Sequence, residues 1–311
     1  MPDRPHLVVI GSANMDLVVR TEHIPAPGET VLGGAFVMVP GGKGANQAVA
    51  ASRLGARVQF INRVGKDAFG DALLAALTQA GIDTQTTLRD ADHPTGVALI
   101  GVDAQGQNAI IVAPGANHQV SSADVEAARE SIAAADAIVL QLEIPLETVT
   151  YAIALAREVG TRVILNPAPV RHTDPLPDAL LRQVDVLTPN EHEAASLLGR
   201  ASPHGMDWTW AAEQLRAKGV GTVLITLGAE GCLAASAEGS FHLPAQPVPV
   251  VDTTAAGDCF TGALAVALGE GKDLEAAARF ASYAAALSVT RMGAQPSLPM
   301  RAEVEVFNPV V

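Results

Sequence analysis

Asp258 closes the segment Asp252-Thr-Thr-Ala-Ala-Gly-Asp258, a run of small residues leading into an apolar stretch of helical period that begins near Gly257. A helix N-terminus leaves several backbone N–H groups unpaired and carries partial positive charge, so the amides around Gly257 make an anion hole. A carboxylate in that first turn has an ordinary structural use, because the dipole stabilises it by a few tenths to about 1 kcal/mol. Its chemical use is as the base that accepts a hydroxyl proton while the amides hold a phosphoryl group in transfer. The dipole is expected to lower its pKa, which suits proton removal concerted with transfer.

Two other segments carry polar groups at the start of a helical stretch. Gly41-Gly-Lys-Gly-Ala-Asn-Gln-Ala48 lets backbone N–H groups come close to an anionic or polyhydroxylated ligand, or is simply a flexible turn. It is not a P-loop, because Gly44 follows Lys43 where Ser or Thr is required, and Gly11-Ser-Ala-Asn14 does not supply the dinucleotide fingerprint. Asn190-Glu-His-Glu193 has the spacing of a capping box. The same residues can also face a Mg²⁺-bound phosphate through waters, and the two uses are compatible.

The elements that must position these groups alternate along the chain. Short apolar runs at residues 7–10, 58–61, 138–141, 163–165, 186–188 and 223–226 read as strands covered on both faces. Between them lie stretches of helical period at 45–54, 68–80, 122–134, 146–158, 191–198 and 208–218, then 257–268 and 274–291. This is the pattern of an α/β fold, a mostly parallel central sheet with helices on both faces. Polar residues cluster where the strands end: Asn14 and Asp16, Glu143, Asn166, Asn190, then Thr226 with Gly228. Ligands of open α/β sheets bind outside the carboxyl ends of the strands, so the series marks one rim-lining site.

Two regions break the alternation. Extended pieces at 17–20, 29–33 and 35–39 surround the turn Pro25-Ala-Pro-Gly28, and 95–102 with 109–113 flank the hairpin turn Asp103-Ala-Gln-Gly106. Strands without helices to cover them predict a small β-sheet inserted at about 15–40 and 95–113 into a single domain over 1–311.

Composition excludes several classes. The 311 residues carry a net charge of −13 with only 4% aromatics, a poor basis for binding nucleic acid. No apolar run approaches the roughly 18 residues of a membrane span, and the first six residues lack a signal-peptide layout. The two cysteines, Cys232 and Cys259, form no ligand pattern and suit a reducing, cytoplasmic setting; Cys259 beside Asp258 reads as a small buried residue.

Taken in order, Gly41–Ala48, Asn166-Pro-Ala-Pro169, Thr188-Pro-Asn-Glu191 and Asp252–Asp258 resemble the ribokinase-like (PfkB) sugar kinase family over nearly the whole chain. Gly11-Ser-Ala-Asn-Met-Asp16, Pro27-Gly-Glu-Thr30, Gln141-Leu-Glu143 and Gly293-Ala-Gln-Pro-Ser297 add to the resemblance. It implies ATP-dependent transfer of the γ-phosphoryl to the 5-hydroxyl of D-ribose, with Asp258 as base. It also implies that Asn14, Asp16, Gly42, Lys43, Asn46, Glu143 and Asp258 hold the sugar. The nucleotide falls to Asn190, Thr226, Gly228, Ala229, Glu230, Gly231, Gly257 and Ser282, and Mg²⁺ to Glu193 through water. A K⁺ site is implied at Asp252, Thr254, Ser288, Arg291, Gly293 and Ser297. The inserted sheet corresponds to the family's lid, and pairing of two lids implies a homodimer, which would also cover the edge strands. The family often has Gly where this chain has Ala255. Asn14 favours ribose over 2-deoxyribose, since a site built to bond a hydroxyl rejects the analogue lacking it. The alternatives are the same chemistry on 2-deoxyribose or a nucleoside, and a catalytically silent sugar-binding regulator.

Overall fold

Strands that read as unbroken apolar runs can be stable only if both faces are covered, and the centre of the larger sheet is built from them. The computed structural model describes residues 4–170 and 172–307; the first and last residues of the expected domain, and the first three of the segment examined for a signal peptide, lie outside that range. The chain opens with β1 (His6–Ile10), β2 (Asn14–Arg20), β3 (Phe36–Gly41), α1 (Lys43–Arg53), β4 (Arg57–Gly65) and α2 (Ala68–Gln79). There follow β5 (Thr87–Asp90), β6 (Gly96–Val102), β7 (Asn108–Ala113), α3 (Ser122–Glu126), α4 (Arg129–Ala133) and β8 (Ala137–Leu140). Next come α5 (Leu146–Val159), β9 (Arg162–Leu165), α6 (Asp178–Leu181), β10 (Val186–Leu187), α7 (Glu191–Leu197) and α8 (Trp208–Ala217). The last part holds β11 (Thr222–Thr226), β12 (Cys232–Ser236), β13 (Gly239–Leu243), α9 (Ala256–Gly269), α10 (Leu274–Ser288) and α11 (Arg301–Phe307).

The nine-stranded sheet runs β13-β12-β11-β10-β9-β8-β1-β4-β5. It is parallel from β11 to β5, and an antiparallel hairpin, β12–β13, extends one edge. Alternation along β1 divides the core. Leu7 and Val9 join α1, α9 and α10 residues such as Val49, Leu264 and Phe280, while Val8 and Ile10 face α5 and α8 residues such as Ile153 and Leu215. A fold with helices on both faces of a mostly parallel sheet is therefore what the apolar pattern predicts and what forms.

A second sheet, of order β3-β2-β6-β7, occupies the predicted insertion. β6 and β7 form the expected antiparallel hairpin; Asp103 Oδ1 accepts the N–H groups of Gln105 and Gln107 at 2.9 and 2.8 Å. The expected extended piece at 29–33 is loop instead. There Glu29 folds back on its own turn, accepting from Ala26 N–H at 2.9 Å, and among the described residues no strand lies beyond β3 to pair with it.

Two of the expected helical stretches form differently, and α6 and α11 were not expected. The stretch 122–134 is broken into α3 and α4: Asp124 is held to β4 by Arg63 through two 2.8 Å bonds, while Ile132 reaches the core on a separate turn. The stretch 274–291 stops at Ser288, because the Val289 carbonyl accepts from Val251 N–H at 2.8 Å and Asp252 N–H at 3.2 Å. The β5 strand and the β12–β13 hairpin were not expected; β5 and β13 are the sheet edges, where burial, and with it the apolar pattern, is weakest, and β12, though buried, is short and rich in small residues.

Candidate functional site

The turn from β1 to β2 and the N-terminus of α1 pass within contact distance of each other. Gly42 has φ of +88°, and a Cβ there would lie 2.6 Å from Asn14 N; at Gly41 it would collide with the Asp16 carboxylate. The glycine segment therefore lies directly against Asn14 and Asp16. Glu143, just after β8, closes the same corner: its Oε2 accepts from Ser12 Oγ at 2.5 Å and from Lys43 N–H at 3.1 Å.

Asn14 is oriented by Asn117, which sequence reasoning missed. Ala13 N–H can only donate, and Asn117 Oδ1 accepts it at 2.9 Å; Asn117 Nδ2 then donates to Asn14 Oδ1 at 2.7 Å. This leaves the Asn14 N–H groups as the atoms turned to a ligand.

Asp258 sits in the first turn of α9, 6% exposed, against the side chains of α1. Its Oδ2 accepts from Asn46 Nδ2 at 2.9 Å and its Oδ1 from Gln47 Nε2 at 3.0 Å. Asn46 Oδ1 is buried without a partner among the described residues, an acceptor of the kind a sugar hydroxyl satisfies. Asn14, Asp16, Gly42, Lys43, Asn46, Glu143 and Asp258 thus lie at one corner of the fold. Gln47, Ser12 and Asn117 escaped the sequence reading. The one signal for Gln47 was an amide in the middle of an alanine- and valine-rich helix.

Burial dominates the electrostatics here. It pushes the Asp16 carboxyl up to about 7, with Glu143 and Asp258 adding to the effect and Lys43 opposing it. Asp258 is also pushed up by burial, against the Lys43 charge and the amide bonds from Asn46 and Gln47. The lowering expected from the helix dipole is therefore corrected: loss of solvation outweighs it. Burial likewise raises Glu193. Burial alone would lower Lys43, yet the surrounding carboxylates of Asp258, Glu143, Glu193 and Asp16 raise it, so this one ammonium serves four acids.

Ahead of α9, Ala255 adopts φ of +61°, the only non-glycine residue with positive φ among those described. The kink satisfies Ala256 N–H on Thr253 O at 3.2 Å and Cys259 N–H on Ala255 O at 2.8 Å. The N–H groups of Gly257 and Asp258 make no bond among the described residues, and the space where a Gly257 Cβ would project is open. An anion hole therefore lies beside a buried carboxylate.

The loop before it is tied to the segment after α10. Asp252 Oδ1 accepts from Thr254 N–H at 2.9 Å and Thr254 Oγ1 at 2.6 Å, and Oδ2 accepts from Gly293 N–H at 2.8 Å. Ser288 and Ser297 direct their hydroxyls to Ala285 O and Ala294 O, and Arg291 pairs with Glu303. Both hydroxyl oxygens keep their lone pairs, whereas the Arg291 side chain has none to offer a cation.

At the far strand ends, Asn190 and Glu193 form the capping box, with bonds of 2.8 and 2.9 Å. Thr226 N–H donates to Pro189 O at 3.0 Å, placing β11 beside that cap. The turn Gly228, Ala229, Glu230, Gly231 projects from the end of β11, with open space at Gly228. Ser282 bonds Ala278 O at 2.9 Å and lines a shallow depression with Leu243, Pro244, Gln246, Arg279 and Tyr283. Among the described residues no three His, Cys, Asp or Glu converge on a metal position.

Polar side chains gathered at strand ends, with a buried carboxylate beside a helix N-terminus with free amides, are an arrangement suited to phosphoryl transfer. The sequence matches the profile of the pfkB family carbohydrate kinases over residues 4–301, and the chain belongs to that family. It is 42% identical over 304 residues to the ribokinase of Haemophilus influenzae, covering 98% of each chain. To the deoxyribokinase of Salmonella typhi it is 38% identical over 302 residues, covering 97% of each. Its fold superposes on the ribokinase of Arabidopsis thaliana complexed with ribose and ATP with a TM-score of 0.87, at 35% identity, over 98% of this chain and 99% of that one.

Proposed function

We propose that the chain transfers the γ-phosphoryl of ATP to the 5-hydroxyl of D-ribose, giving ribose 5-phosphate. The observation that carries this reading is Asp258, a buried carboxylate directly beside the unpaired N–H groups of Gly257 and Asp258. Its hydrogen bond to Asn46, its nearness in charge to Asp16 and Glu143, and the ribokinases among its relatives support the choice of a pentose.

Phosphoryl transfer needs positioning and charge stabilisation more than covalent help. Asp16, Glu143 and the orphan Asn46 oxygen accept from sugar hydroxyls, Asn14 donates, and the Gly42–Lys43 backbone closes the pocket. Asp258 takes the 5-hydroxyl proton; raised by burial, it is a stronger base than a solvent-exposed aspartate. Lys43 and the Gly257 amides counter charge on the phosphoryl oxygens. Asn190, Thr226, the Gly228–Gly231 turn and Ser282 line the nucleotide, which brings Mg²⁺ for charge neutralisation, and Glu193 orients its water shell. A K⁺ at the Asp252–Thr254 loop, with carbonyls of the 288–297 segment, would fix the loop before the anion hole. The four-stranded sheet acts as a lid within one domain and pairs with that of a second copy. The buried, unpaired thiols Cys232 and Cys259 suit a reducing cytoplasm, and no helix among the described residues is long and apolar enough to cross a membrane.

ADP release with Mg-ATP, measured against ribose, 2-deoxyribose, ribonucleosides and fructose 6-phosphate in K⁺ and in a large organic cation, tests the reading. Strong turnover on ribose, stimulated by K⁺, is expected. A second reading, 2-deoxyribose, draws on the Salmonella relative. Against it stands the amide of Asn14, whose N–H groups face the ligand and would lose a partner if the hydroxyl they bind were absent. Equal or better turnover on 2-deoxyribose would replace the first reading by the second. Ribose binding without any turnover would leave the sugar-binding regulator.

A further inference from the structure

Gln47 is wholly buried in α1, and each bond of its amide has a fixed direction. Thr188 O can only accept, so Asn166 turns its Nδ2 to it at 2.7 Å and presents its Oδ1 to Gln47. Gln47 Nε2 donates to that oxygen at 3.1 Å and to Asp258 Oδ1 at 3.0 Å. Gln47 Oε1 then accepts from Gln141 Nε2 at 2.6 Å. Reversing the Gln47 amide would set its oxygen against two acceptors. The network joins the ends of β8, β9 and β10 to the first turn of α9. The second oxygen of the carboxylate, Oδ2, touches Asn46, whose own Oδ1 is buried and unpartnered. One oxygen of Asp258 is therefore anchored from inside the protein, and the other stands beside the acceptor left for a ligand.

We propose that Gln47 is a positioning residue for the reaction, fixing Asp258 Oδ1 so that Oδ2 is the atom that receives the substrate proton. This rests on the reading of Asp258 as base. In the step, the hydroxyl O–H bond breaks and its proton passes to Oδ2. The hydroxyl oxygen bonds to the γ-phosphorus, and the bond from that phosphorus to the oxygen bridging to ADP breaks, its electron pair leaving with ADP. Gln47 touches neither substrate; it prevents the carboxylate from rotating away from the hydroxyl, a displacement of about 1 Å that costs on the order of 100-fold in rate.

The test is a kcat and KM comparison of Gln47→Met, which keeps length and removes the donor, with Gln141→Met, at a side chain whose one hydrogen bond among the described residues is to Gln47. Asp258→Asn is measured in parallel, with Tm for each. The expected result for Gln47→Met is a kcat lower by about 10- to 100-fold, with KM for ribose and ATP within about threefold of the parent. Gln141→Met is expected to lower kcat by a smaller factor, again without raising KM. A Gln47→Met kcat equal to the parent's, or a loss carried by KM, overturns the proposal. If Gln47→Met does not fold, Gln141→Met decides, and an unchanged kcat there overturns it. Should Asp258→Asn turn over normally, the reading of the base fails. An inactive Asp258→Asn beside a fully active Gln47→Met sinks this inference alone.

Discussion

At the residue scale the site is organised by burial rather than by isolated charge. Four carboxylates share one ammonium, and the two that lose most solvent, Asp16 and Asp258, both have pKa values above the usual carboxylate range. Replacing Asp258 by Asn keeps the shape and its amide neighbours but removes the proposed base. Turnover is expected to fall by about 10²–10⁴-fold with substrate binding partly kept, as read from kcat and from ribose calorimetry. Asp16 gives a stability prediction with a definite sign. Its pKa in the folded chain, about 7, lies above its ordinary 3.8, so between these values the folded state holds the extra proton. Its contribution to stability is therefore lost as pH rises from about 4 to 7. Asp16→Asn is expected to raise the Tm of the ligand-free protein at pH 8 and to change it little at pH 4, while weakening ribose binding. A Tm gain that did not grow with pH would contradict the assignment.

At the element scale, the anion hole depends on how α9 begins. Ala255 in the left-handed region costs roughly 1–2 kcal/mol that glycine would not incur, and this is where the family often has Gly. Ala255→Gly is expected to keep turnover and Ala255→Val to lower both Tm and kcat, because a β-branched side chain cannot hold that φ without strain. Unchanged activity in Ala255→Val would show that the kink is not needed. The four-stranded sheet makes a second prediction. Cross-strand register aligns Val37, Val18, Ile100 and Ile110 on the same face as Asp16, and Val37 and Ile110 are about half exposed. The opposite row sets Met38, Leu17, Leu99 and Ile111 together, with Ile111 68% exposed. A sheet this apolar needs covering. Ile110→Asp, at an exposed position, is expected to keep the fold, yield monomers by light scattering and raise KM for ribose. A parent protein that is monomeric at all concentrations would remove the lid-to-lid pairing.

At the scale of the whole molecule, the balance between sequence and tertiary structure follows from what each interaction depends on. The α/β class, the rim of polar residues and the glycine and Asp258 segments were legible because apolar periodicity and helix-start chemistry are local properties of the chain. The inserted sheet was legible as strands lacking helices to cover them. The break between α3 and α4 was not, since it arises from Arg63 on β4 gripping Asp124, residues 61 positions apart. Nor could the sequence alone foretell that Asp258 is raised rather than lowered, because the dipole is local and solvation depends on how α1 packs on α9. The same holds for Asn117, which orients Asn14 from 103 residues away, and for Gln47, which reaches Asp258 across 211. The sequence by itself determined which elements form and which groups could do chemistry. Tertiary structure alone decided the polarity of each amide and the protonation of each acid, since both depend on partners and solvent exclusion contributed by distant parts of the chain.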